Sequence, residues 1–281
     1  MLLLLAGCAT STTQLQQVSS PPFSALHRGE VFVPSPDVQL TGFLYQPATP
    51  GPHPAMLHLH GCSGFRNAAG MPNESYRFWA DHWVQRGFVV LILDSLAPRG
   101  EKEICTQNAL RIRAHVERVR DAYAGLAYLQ GLPGVDGDRV FLQGWSNGGT
   151  TTLNAINADA PRPRSGRPGF RAAIAYYPGC LQLAREFWNP TTPVLIQAGA
   201  ADNWTPAVYC QQIAERARGA GVDVSIDTYP DAHHAFDRLR LPFAFRPNVG
   251  AGNKGAHVGT NGPARDSALK RTTDWVLGFS R

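Results

Sequence analysis

The chain has 281 residues, of which 43% are hydrophobic and 17% charged, values of a globular protein rather than a disordered one. The 26 Lys and Arg against 21 Asp and Glu leave a formal net charge of +5, and with no basic run that excess is no footprint of a nucleic-acid partner. The length suits one α/β domain with a full hydrophobic core.

The chain opens on Met1-Leu-Leu-Leu-Leu-Ala-Gly-Cys8, apolar but too short to span a bilayer. Its last four residues resemble the lipobox of a bacterial lipoprotein signal, without the basic segment and full apolar stretch that normally precede one. The resemblance implies lipidation at Cys8 and an exported protein of a bacterium, periplasmic or anchored to the outer membrane, touching membrane only through that lipid. Residues 9–28, rich in Ser, Thr, Gln and Pro, are expected to be a flexible tether, and 29–281 a single domain. Beyond Cys8 there are four cysteines, Cys62, Cys105, Cys180 and Cys210. In an oxidising compartment they form two bridges, with three possible connectivities. No C-x-x-C and no histidine pair has metal-ligand spacing, so neither metal nor cofactor is expected.

Glu30 to Pro34 and Val38 to Tyr45 alternate apolar residues around Ser35-Pro36-Asp37, the pattern of an antiparallel pair. Pro54 to His60 is the next predicted strand, ending in His60-Gly61-Cys62-Ser63-Gly64. Ser75 to Arg86 repeats Phe78, Trp79 and Trp83 at helical spacing and is capped by Gly87. Phe88 to Leu93 is a continuous apolar strand. After a loop over Asp94 to Gln107, a long helix is predicted from Asn108 to Leu129, with Arg111, Arg113, Glu117, Arg118 and Arg120 on its polar face. A strand from Arg139 to Leu142 follows. Arg171 to Tyr176 and Pro193 to Gln197 are further strands, Ala207 to Arg218 a helix and Val222 to Tyr229 the last strand. Pro242 to Pro263 reads as a surface loop before a closing helix, Ala264 to Phe279. Strand and helix alternate without a break in composition, which predicts one doubly wound, mostly parallel sheet of about eight strands.

The chemistry gathers at Gly144-Trp145-Ser146-Asn147-Gly148, a G-x-S-x-G match between a strand and a predicted helix from Thr150 to Ala158. A strand that reverses sharply into a helix strains its central residue, and side chains two positions either side would collide, hence the glycines. The serine hydroxyl then stands at a helix N-terminus, where free N–H groups favour developing negative charge. Such a nucleophile needs a base, and the base needs an orienting acid. Asp202 and one of His233 and His234 follow strand ends, and ligand sites of such sheets form at the carboxyl ends of the strands. Asp227 lies inside a predicted strand, and Asp231 is too near the histidines to support one from the side. The order Ser146, Asp202, His234 is that of a Ser-Asp-His triad on an α/β-hydrolase fold. The oxyanion donors expected are the N–H groups of Cys62 and Asn147.

Residues 30–280 resemble the dienelactone hydrolase family of α/β-hydrolases. The resemblance rests on Gly144-Trp-Ser-Asn-Gly-Gly149, Gly199-Ala-Ala-Asp202 and Tyr229-Pro-Asp-Ala-His-His-Ala-Phe236, and it selects His234 as the base. Two features depart from the family pattern: Ser146 stands where the founding members have cysteine, and His60-Gly61 where they carry a glutamate. The family also holds substrate carboxylate with two arginines, which implies Arg99 and Arg238 in that role here. Cys62 and Cys105 follow neighbouring strands at the carboxyl edge, as do Cys180 and Cys210, and these are the predicted bridges. The function expected is hydrolysis of carboxylic esters or lactones, including carboxylate-bearing ones, through an acyl-enzyme. Acyl transfer or peptide cleavage by the same triad, or a non-catalytic surface-anchored binding protein, are the other readings.

Overall fold

Eight strands form one sheet in the computed structural model, which describes residues 27–107, 111–162 and 166–280. Cys8 and most of the expected tether lie outside the described residues. The strands are β1 (His27–Val33), β2 (Leu40–Gln46), β3 (His53–Leu59), β4 (Val89–Asp94), β5 (Val135–Trp145), β6 (Ala173–Tyr176), β7 (Val194–Gly199) and β8 (Val224–Tyr229). Their spatial order is β1-β2-β4-β3-β5-β6-β7-β8. β2 pairs antiparallel with both β1 and β4, and every later neighbour is parallel.

The central strands are buried on both faces, and their period of two divides the core. Val89, Leu91 and Leu93 enter one apolar layer, Val90 and Ile92 the other. The first layer is covered by α2 (Glu117–Gly131), α3 (Asn147–Ala155) and α5 (Ala207–Gly219), with the short α4 (Leu181–Arg185) beside them. The second is covered by α1 (Glu74–Val84) and α6 (Gly262–Phe279). Asn73 caps α1 by accepting from the N–H groups of Ser75 and Tyr76. Of the predicted stripe, Trp79 and Trp83 are core, almost wholly excluded from solvent, and Phe78 packs against it only partly buried.

The short α4 has no counterpart in the sequence expectation, β5 is longer at both ends than Arg139 to Leu142, α3 starts and ends three residues early, and further differences bear on the site. Helix α2 begins at Glu117, not at Asn108. Glu117 accepts from the Arg113 N–H and guanidinium, closing a turn, while Ile112 packs with Leu96 and Ile104 in a small separate cluster. Arg118 is not on a polar face but fully buried. The loop expected over Pro242 to Pro263 contains a hairpin, β9 (Ala244–Arg246) with β10 (Ala256–Val258), whose three-residue strands are too short to show a period. Finally, β1 absorbs the last two residues of the expected tether, His27 and Arg28.

Candidate active site

Ser146 stands between β5 and α3 with φ 53° and ψ −118°, outside the regions that side chains favour. Its N–H is held by the Tyr176 carbonyl at 2.9 Å and its own carbonyl accepts from Thr150 at 2.8 Å. The turn leaves no room beside it. A Cβ on Gly148 would collide with the carbonyl oxygens of Leu59 and His60, and one on Gly144 with the Gly148 carbonyl oxygen. The two glycines therefore permit the approach that lifts the serine side chain above the sheet.

His234 Nε2 lies 2.9 Å from Ser146 Oγ, and His234 Nδ1 lies 2.8 Å from Asp202 Oδ2. Both the imidazole and the carboxylate are buried. Asp202 Oδ1 accepts from the N–H groups of Trp204 at 2.8 Å and Thr205 at 2.9 Å. The Thr205 hydroxyl lies 2.9 Å from Asp202 Oδ2 and 3.1 Å from His234 Nδ1. Burial opposes ionisation of Asp202, but the imidazole and the Thr205 hydrogen bonds outweigh it and hold the carboxyl below its ordinary range. Trp204 lies tilted over the His234 ring at 4.6 Å between centroids and Tyr177 meets it edge-on at 4.7 Å, so the imidazole has little freedom to turn. The hairpin contributes as well: His234 bridges to Val258, and its carbonyl accepts from Gly259 at 3.2 Å.

His233 points elsewhere. Its ring lies 4.9 Å from that of Phe243, and it takes no part in this chain of hydrogen bonds. Asp227 is turned toward Arg271 at 3.1 Å. Cys62 and Ser146 both line one cavity of about 510 Å³, walled by Tyr76, Trp79, Trp145 and Tyr177. Arg238 lines it too. Arg99 does not: both its terminal nitrogens lie 2.8 Å from the buried carboxylate of Asp121, and it also donates to the Ser95 carbonyl. A bidentate pair of this kind consumes the fork that a substrate carboxylate would need. Arg246, on the hairpin, lines the cavity instead, and neither Arg238 nor Arg246 forms a salt bridge among the described residues.

The cysteines pair as Cys62–Cys105 and Cys180–Cys210, with Cα separations of 4.9 and 5.1 Å. Cys62 and Cys105 lie on the cavity wall, whereas Cys180, at the start of α4, and Cys210, on α5, lie in the core layer.

Arg118 was not legible as a site residue. It donates to the Asn147 side-chain oxygen at 2.5 Å and to the His60 carbonyl at 2.7 Å. It thus ties together the two segments that carry the expected oxyanion donors. Burial pushes its guanidinium down to about 10, which still leaves it charged at neutral pH. Spacing held the signal, since Arg118, Ala122, Gly125 and Leu129 share one buried helix face. His60 donates through Nδ1 to the Gly61 carbonyl and accepts at Nε2 from Ser95 N–H, which fixes its tautomer. Burial, aided by the Arg118 charge, pushes it down to about 3, so it is neutral and structural. The buried carboxyl of Asp237 accepts from Tyr177, Trp79 and Trp145 and so ties three cavity walls together.

A catalytic serine needs these parts: a nucleophile within reach of a base, an acid behind the base, and N–H groups near the attacked atom. The model for the dienelactone hydrolase family matches residues 40–279 of the chain. A "Putative carboxymethylenebutenolidase" of Methylorubrum extorquens is 25% identical over 273 residues, 91% of this chain and 82% of the relative. A "Probable 2-oxo-3-(5-oxofuran-2-ylidene)propanoate lactonase" of a Bradyrhizobium species is 24% identical over 222 residues, 73% and 82% of the two chains. Among solved structures, the thermophilic esterase Est2 of Thermogutta terrifontis superposes with a TM-score of 0.64 at 19% identity, covering 89% of this chain and 92% of its own.

Proposed function

The chain belongs to the dienelactone hydrolase family of α/β-hydrolases and is a carboxylic ester hydrolase, and from that premise we propose that it cleaves esters or lactones through an acyl-enzyme on Ser146. The observation that carries this reading is the unbroken line Ser146 Oγ, His234 Nε2, His234 Nδ1, Asp202 Oδ2. His234 takes the hydroxyl proton as Oγ bonds to the substrate carbonyl carbon, and Asp202 stabilises the imidazolium that results. The N–H groups of Cys62 and Asn147 receive the negative charge on the former carbonyl oxygen. His234 returns the proton to the departing alkoxide, leaving the acyl group on Ser146. Water then enters and loses a proton to the same imidazole as its oxygen bonds to the acyl carbon. The bond from that carbon to Oγ breaks, His234 returns the proton to Ser146 Oγ, and the carboxylic acid leaves the free enzyme. In a lactone the alkoxide and the acyl group belong to one molecule, so the ring opens before deacylation.

The cavity chemistry supports a substrate with an acidic group. Arg238 and Arg246 bring two cations to a largely aromatic and apolar wall, and neither closes a salt bridge with a carboxylate among the described residues, although the buried Asp237 carboxyl feels the Arg238 charge. The two disulfides support work in an oxidising compartment, in keeping with the proposed lipidation of Cys8.

Hydrolysis of p-nitrophenyl acetate and butyrate, alongside labelling by a fluorophosphonate probe, tests the mechanism. Both signals are expected in the wild type and both are lost in Ser146→Ala. Turnover that survives in the folded variant would rule out Ser146 as the nucleophile.

A further inference from the structure

The Tyr76 hydroxyl occupies a position for which the triad has no use. Tyr76 lies in the first turn of α1, is 7% exposed, and lines the cavity with Ser146 and Cys62. Its Oη accepts the Gly61 N–H at 2.9 Å. The hydrogen bond spends one lone pair and leaves the phenol proton unused, and among the described residues no acceptor takes it. A phenol carries one donor and two acceptor sites, so a buried hydroxyl with only its acceptor engaged is incomplete.

Its surroundings fix where that proton can go. A Cβ built on Gly61 would stand 3.5 Å from Ser146 Cβ and 3.9 Å from Tyr76 Oη, so nucleophile and hydroxyl flank a single point. Gly61 directly precedes Cys62, the residue whose N–H is the expected oxyanion donor and which lines the same cavity. Phe65 and Trp145 both meet the Tyr76 ring edge-on, at 6.3 and 5.2 Å between centroids, which holds the hydroxyl in place before substrate arrives. Burial raises the phenol above its ordinary range, so it keeps its proton at neutral pH.

We propose that Tyr76 is a catalytic residue, a third oxyanion donor whose O–H bonds to the tetrahedral oxyanion beside the N–H groups of Cys62 and Asn147. The Gly61 N–H serves it indirectly, by polarising the hydroxyl and aiming its proton at the cavity. The donor is worth most in the transition state, where charge on the oxygen is greatest, so its loss acts on kcat and not on KM. The proposal rests on Ser146 being the nucleophile.

Tyr76→Phe removes one oxygen atom and keeps the ring packing. The expected result is a fall of about 10²-fold in kcat for p-nitrophenyl butyrate, with KM within about twofold of the wild type. Inhibition by an alkyl boronic acid, which forms a tetrahedral adduct on the serine, weakens by a similar factor. A merely structural role for the hydroxyl would lower the melting temperature and leave boronate affinity unchanged, and that pattern overturns the proposal. So does a kcat within twofold of the wild type. Should the Phe variant not fold, Tyr76→Gln and Tyr76→Met, side chains of similar length with and without a donor, answer the same question, and equal kcat in the two overturns it. Loss of turnover in Ser146→Ala beside full turnover in Tyr76→Phe removes this inference alone. Survival of turnover in Ser146→Ala removes the reading beneath it.

Discussion

Asp202 is the residue whose charge state links catalysis to stability. Its carboxyl is held below the ordinary range, so the folded state binds fewer protons there than the unfolded chain does. The contribution is fully present above the unfolded value of about 3.9 and is lost as pH falls through the lower folded value. Melting curves of wild type and Asp202→Asn from about pH 7 to about pH 3 are expected to converge as the pH falls. A separation that stays constant would mean that the charge contributes nothing. At neutral pH the same variant is expected to lose about 10³- to 10⁴-fold in kcat, because an amide no longer favours the tautomer and the imidazolium the base requires. Arg118 presents a different case. A cation buried this completely costs free energy unless its donors are used, and its Nε has no partner. Arg118→Lys keeps the charge but cannot hold both the Asn147 oxygen and the His60 carbonyl. We expect it to lower kcat/KM by about tenfold and to destabilise the fold, read from initial rates and thermal melts of the same preparations.

At the scale of elements, the strand-turn-helix around Ser146 was legible because its constraint is steric and local. Two glycines at fixed offsets are what a turn of this sharpness demands, and the folded turn shows the atoms they avoid. Gly148→Ala is therefore expected to cost more than about 2 kcal/mol, or to prevent folding, since its Cβ meets backbone and no side chain can move aside. Chemical denaturation decides this, and a variant as stable as the wild type would show that the turn can open. Asp202 was legible too, since it follows a strand end in the expected order, whereas order left His233 and His234 open and only the resemblance to the family separated them. The start of α2 was not. Residues from Arg111 onward repeat charge at helical spacing, yet the segment before Glu117 is drawn toward Leu96 and Ile104, and this tertiary contact outweighs local propensity. The hairpin escaped for a related reason. β9 and β10 are held by contacts between distant parts of the chain, among them the bridge from Val258 to His234 and the His257 N–H to the Asn203 side-chain oxygen. Arg99 failed at the same level, as position along the chain put it near the cavity but Asp121, on α2, captured it.

Across the whole molecule the sheet supplies a rigid carboxyl edge, and the two disulfides fasten segments that follow its strands, one of them tying the loop after β6 to helix α5. They close segments separated by 43 and 30 residues. Because chain entropy varies only with the logarithm of loop length, the two bridges constrain the unfolded chain almost equally, by about 4 kcal/mol each in the loop-entropy account. Their places in the fold are unequal. Cys62 carries an expected oxyanion N–H and its bridge partner, Cys105, borders the same cavity, whereas Cys180 and the α5 residue Cys210 lie in the core layer. Replacing each pair by alanines should thus separate stability from activity. Both double variants are expected to melt several degrees below the wild type. Only Cys62→Ala with Cys105→Ala should also lose kcat/KM well below its own melting range, because the donor segment loses its tie to the facing loop. Equal catalytic losses in the two variants would mean that the bridges act through global stability alone. Retained activity without Cys62–Cys105 would mean that the Arg118 contact to His60 and the remaining packing hold the donor segment unaided.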